Sequence, residues 1–81
     1  MIDNTIGNFL LDVGLEIKLR ALEAKTEREL AANGSVEWHL GCGRVMAFNE
    51  VISIIQQTAA GFGISLTDLR LDDIDPDRDL V

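Results

Sequence analysis

The chain has one cysteine, one proline, one histidine and no tyrosine among its 81 residues. A single cysteine excludes an internal disulfide framework and any zinc site built from several thiolates. One histidine and no tyrosine leave few groups for proton transfer, and no set of carboxylates converges in the apolar part of the sequence. Enzymatic chemistry, a cofactor and a bound metal are therefore not expected. Bases are scarce as well: seven Lys and Arg stand against 14 Asp and Glu, a net charge of -7. Phosphate backbones repel such a chain, so direct nucleic-acid binding is not expected. The start of the sequence lacks a basic, cleavable hydrophobic leader, which predicts synthesis in a reducing cytoplasm.

What the chain has in quantity is apolar surface. Hydrophobic residues make up 47% of it, although a domain this short buries only about 60–65% of its unfolded surface. The surplus predicts self-association or docking onto a partner. Charge divides the chain into three regions. Residues 1–34 mix acids and bases, residues 35–62 carry only Glu37, Arg44 and Glu50, and residues 63–81 hold six aspartates against Arg70 and Arg78.

The central stretch Gly41–Phe62 sets the architecture. Gly41, Val45, Phe48, Ile52, Ile55, Ala59 and Phe62 recur at alternating spacings of 4 and 3, the seam of a helix that packs lengthwise on another helix. Upstream, LRALEAKTERELAA is strongly helix-forming, with Leu15, Leu19, Leu22, Thr26 and Leu30 as its expected inward stripe. Asp3, Asn4 or Thr5 can cap its start. Residues 12–19 alternate polar and apolar as a strand would. They fit equally a helix buried on two faces, with Gly7 and Gly14 admitting a neighbouring backbone. The helix formers downstream favour one long helix.

Asn33-Gly34-Ser35 punctuates the chain, Gly34 closing one helix and Ser35 capping the next. Gly61 and Gly63 stop the second helix, and Pro76 blocks any helix from running through it. The expected fold is all-α: an antiparallel two-helix hairpin in a single domain. Helices cover about residues 5–32 and 36–60, joined by a turn at 33–35 and followed by an extended or short-helical acidic arm over 63–81. The hairpin core is expected from Leu15, Leu19, Leu22, Leu30, Trp38, Val45, Phe48, Ile52, Ile55 and Phe62. Val13, Ile17, Val51 and Ile54, with Leu66, Leu69 and Leu71 of an outreaching arm, are expected to face neighbours or further copies of the chain.

Three patterns invite chemistry and fall short of it. His39 and Cys42 at i,i+3 supply only two ligands and no third group to orient a nucleophile. Gly41-Cys42-Gly43 lacks the strand and the Lys-Ser/Thr of a phosphate loop, and reads as a close helix crossing covered by Trp38. The alternating Asp73, Asp75, Asp77 and Asp79 resemble a calcium loop, but Arg78 stands where that loop needs Gly. Val45–Leu66 is long enough to span a bilayer, yet Asn49, Glu50, Gln56 and Gln57 are costly in lipid, so no membrane span is expected.

From Leu19 to Ile55 the sequence resembles small helical-hairpin proteins encoded in the head and packaging modules of tailed bacteriophages. The resemblance rests on Thr26-Glu27-Arg28-Glu29-Leu30, Gly34, Trp38 and Gly43-Arg44-Val45, and covers about residues 19–55. The N-terminal run Ile2–Leu19 and the acidic tail depart from that pattern. The resemblance implies a non-enzymatic structural or assembly accessory protein that contacts other virion or assembly proteins. Its place would be the virion, or the cytoplasm of the bacterial host during assembly. The alternative is a small acidic phage-encoded inhibitor or adaptor that occupies a basic site on a host protein.

Overall fold

A computed structural model describes residues 3–81, and among these every regular element is helical. Helix α1 runs Asn4–Leu30 and α2 runs Val36–Gly61. A single 3-10 turn, Leu66–Leu69, and a short helix α3, Pro76–Asp79, follow. The strand-like alternation of residues 12–19 is helix, because strong helix formers continue it downstream without a break.

Local chemistry explains each boundary. The Asp3 carboxylate accepts from the Ile6 N–H at 3.0 Å and the Ser35 hydroxyl accepts from the Trp38 N–H at 3.1 Å, so each long helix has its N-cap. Gly34, at φ 82, turns the chain between them. At the end of α2 the Ile64 N–H donates to the Ala59 carbonyl and the Gly63 N–H to that of Ala60. With Gly63 at φ 70, this is a Schellman ending.

The two long helices lie antiparallel. Near the turn Gly41 lies against Arg28, and at the far end Leu10 shares a groove with Ala59 and Phe62. A β-carbon on Gly41 would stand 2.8 Å from that of Arg28, so the glycine is what lets the helices close. The molecule measures 47 × 21 × 16 Å, its long axis set by α1 and α2.

The core differs from the expected one in two ways, both physical. First, α1 turns a small-residue face inward. Gly14, Ala21 and Ala24 are buried, with Leu10 and Ile17 packed beside them. Leu19, Leu22 and Leu30 are exposed, Leu30 to 82%, and Leu15 is half-buried. Short side chains bring two helix axes closer than leucines do, and the leucine stripe is then rotated out of contact by about one residue, ~100°. On α2 the seam holds at Val45 and Ile52, both fully buried, with Phe48 and Ile55 packed against the core. Trp38 is half-buried, and Phe62, at the C-terminal end of the seam, is 78% exposed.

Second, the C-terminal segment folds back instead of reaching outward. Among the described residues, Leu69, Leu71, Ile74 and Leu80 are four of the nine in the core, and Leu71 and Leu80 are among its largest fully buried side chains. Leu69 and Leu71 therefore face the hairpin, not a neighbour, and Leu66 and Ile17 pack on the same core. Residues 64–81 supply the third layer that two helices of this length lack.

Polar groups fix that layer. The Asn49 amide donates to the carbonyls of Pro76 and Leu80, at 2.8 and 3.1 Å. Two turns on, the Gln56 amide donates to those of Leu71 and Ile74, at 3.0 and 2.8 Å. Each carboxamide NH₂ has two hydrogens, and each here satisfies two carbonyls of a non-repetitive segment. Gly14 completes the fit. A β-carbon there would sit 1.8 Å from the Leu69 carbonyl oxygen, so the 3-10 turn rests directly on the α1 backbone.

Candidate interaction surface

The folded-back segment covers only one side of the hairpin. It touches α1 at Gly14 and Lys18 and α2 at Asn49 and Gln56. On helices turning ~100° per residue, Ile6, Phe9 and Val13 of α1 and Val51 and Thr58 of α2 point to the opposite side, and Phe62, the C-cap of α2, stands at the end of the hairpin beside Ile64. Among the described residues, none covers them there. Phe9 is 64% exposed and Phe62 78%; Ile6, Val13 and Val51 are exposed as well.

Ile54, 63% exposed, flanks this face on α2. With Leu10, Ile55, Thr58, Ala59 and Phe62 it lines a shallow apolar groove of ≈ 290 Å³, which Ile64 and Leu69 of the folded-back segment help to close. No ionisable residue occurs between Val51 and Phe62, and on the α1 stripe the first charge after Val13 is Glu16. Such a surface gains free energy from losing water and offers nothing to a charged ligand.

Of the residues expected to face neighbours, Val13, Val51 and Ile54 lie on or beside this open face. Ile17, Leu66, Leu69 and Leu71 are drawn into the core and do not join them. Ile6, Phe9 and Phe62 complete the face, although the sequence pattern does not mark them as interface residues. Their signal is the 3, 4 spacing of Ile6, Phe9 and Val13, which marks one side of a helix beginning near Asp3.

Toward the hairpin turn the same side becomes charged. Arg20 Nε meets Glu16 at 2.9 Å, and Arg44 bridges to Glu27 across the helices. A second apolar hollow lies there, lined by Leu30, Ala31, Leu40 and Gly41 but rimmed by Glu27, Glu37 and Arg44. The outer side of α1 carries the displaced leucine stripe Leu15, Leu19 and Leu22.

Three of the aspartates of residues 63–81, Asp73, Asp75 and Asp79, serve the fold. Asp75 caps α3 through the Asp77 N–H, and Asp79 reaches back to accept from the Asp75 N–H. Arg78 holds Asp79 through two nitrogens, at 2.9 and 2.8 Å, and those bonds keep its carboxyl well below the usual carboxylate range. The Lys18 ammonium, 3.0 Å from Asp73, likewise lowers the Asp73 pKa, chiefly through the hydrogen bond. His39 stacks edge-on against Trp38, ring centroids 5.1 Å apart.

Among the described residues no three His, Cys, Asp or Glu side chains gather as metal ligands. None of the described helices is long and apolar enough to cross a membrane. No protein-family model, curated protein or solved structure matches the chain.

Proposed function

We propose that this chain is a non-enzymatic protein–protein interaction element, a structural or assembly accessory protein of a tailed-phage particle. The observation that carries the interaction reading is the asymmetry of the hairpin. One side is finished by residues 64–81, and the other leaves two aromatic and several aliphatic side chains in water. Removing one such side chain from water contributes about 1.5–3 kcal/mol, so a few repeated contacts hold an assembly together. Placement in a phage particle rests on the sequence resemblance over residues 19–55 alone. Its partners would be other virion or assembly proteins and further copies of itself, in the virion or in the host cytoplasm during assembly.

The test is mass spectrometry of purified particles and assembly intermediates from a strain that expresses the chain. Peptides of the chain at a fixed copy number per particle are the expected result. Their absence from every particle fraction would overturn the placement.

A further inference from the structure

We infer that the occupant of the open face is a second copy of this chain, packed face to face into a four-helix dimer. The inference rests on the interaction reading above and names its partner.

Three observations single out a second copy. The first is area. The exposed fractions of Ile6, Phe9, Val13, Val51, Ile54 and Phe62 correspond to roughly 600 Å² of apolar surface per copy. That is most of the ~800 Å² per partner in a standard interface. It also matches or exceeds the largest patch that monomers of ordinary size leave in water, ~300–600 Å².

The second is charge. The chain carries -7, yet none of these six residues or their groove is ionisable. Of the arm's aspartates, Asp73, Asp75 and Asp79 are held within the layer on the opposite side of the hairpin, and Asp68 borders a hollow beside Phe62 at the end of the face. Two acidic chains can therefore meet here with the least mutual repulsion. A basic or phosphate-bearing partner, by contrast, finds nothing on this face to pair with. The leucine stripe on the outer side of α1 fails by the same criterion, since Asp12 and Glu23 run alongside Leu19.

The third is shape. An antiparallel hairpin with an uncovered apolar side is half of a four-helix bundle. A two-fold axis brings the same apolar patch of two copies together with no further element needed.

Sedimentation velocity and light scattering of the full chain, over about 1–100 µM, test the proposal. The expected mass is twice the 8.9 kDa of the chain. Phe9→Glu and Ile54→Glu alter residues already in water within one copy. Each should keep the helical circular dichroism and raise the dimer Kd at least a hundredfold, roughly two buried side chains' worth per dimer. Leu19→Glu, on the outer side of α1, should change Kd by less than about threefold. Thr58→Arg serves as a further open-face variant if either glutamate disturbs folding. A wild type that stays monomeric throughout overturns the dimer while leaving the search of particles as a separate test. A dimer broken by Leu19→Glu and not by the open-face variants also overturns it.

Discussion

The two sides of the hairpin solve the same problem with different chemistry. On the covered side the apolar contacts of Leu69, Leu71, Ile74 and Leu80 are already buried and are held in register by small and polar groups: Gly14 under a backbone carbonyl, Asn49 and Gln56 bracketing four carbonyls, Lys18 reaching Asp73. On the open side they are large and apolar: Ile6, Phe9, Val13, Val51 and Phe62. The covering segment has no long helix to satisfy its own backbone, so α2 must supply donors to it. An intermolecular partner that brings complete helices needs no such donors, and an apolar face suffices. The difference separates what holds the chain together from what is left for another molecule.

The sharpest way to break that distinction is to empty the covered side. Leu71 is fully buried, and Leu71→Ala removes its contacts and leaves a cavity costing about 2–5 kcal/mol. Leu19→Ala, at a half-exposed position, should cost less than about 0.5 kcal/mol. Urea unfolding of both variants at one chain concentration checks the pair, and equal losses would mean that residues 64–81 do not form the third layer.

Gly14→Ala comes next. The added methyl would collide with the Leu69 carbonyl, a backbone atom that cannot swing aside, and should cost about 2–3 kcal/mol. Gly43, also inside a helix, has nothing within 4 Å of the corresponding point. There the same substitution should stabilise by about 0.5–1 kcal/mol through helix propensity. Opposite signs in thermal melts are the expected outcome.

These residues also show how much of the molecule is legible in its sequence. Val45 and Ile52 announce the α2 seam, because large apolar side chains at spacings of 4 and 3 line up on one face of a helix. The α1 contact face is hidden, since Gly14, Ala21 and Ala24 carry little hydrophobic signal and the leucines one position away carry much. The fold of residues 64–81 is hidden for a different reason. Its side chains follow no period, and its register is set by Asn49 and Gln56, which look like ordinary surface polar residues on α2. The open face is half legible. Val51 and Ile54 stand out as surplus on a helix whose seam is already complete. Ile6 and Phe9 share a stripe with Val13 on the expected helix, but that this stripe stays in water follows only from the small-residue face that α1 turns inward.

A smaller effect sharpens the role of those amides. Gln56→Glu keeps the shape but replaces two donors with a carboxylate facing the Leu71 and Ile74 carbonyls. Leaving both carbonyls without donors should cost about 2 kcal/mol or more at neutral pH. The loss should shrink in acid, where the protonated side chain recovers one donor. A cost that does not depend on pH would mean the amide acts by packing alone.

The smallest effect expected on the covered side is that of the Lys18–Asp73 pair. Asp73 has its pKa lowered in the folded chain, first by the hydrogen bond from Lys18 and then by its charge. A carboxylate depressed on folding stabilises the native state above its unfolded pKa, near 3.9. That contribution fades as pH falls through the lower, folded value. Lys18→Met should therefore lower the melting temperature slightly at pH 7, and the two melting curves should converge in acid. Asp73 is 65% exposed, so salt screens the pair, and about 1 M sodium chloride should close most of the gap at neutral pH. A gap that survives both acid and salt would assign the effect to the Lys18 stem, whose side chain is only 13% exposed, packing against residues 64–81. The covered side would then owe nothing measurable to charge, and its contrast with the open side would reduce to backbone hydrogen bonding and fit.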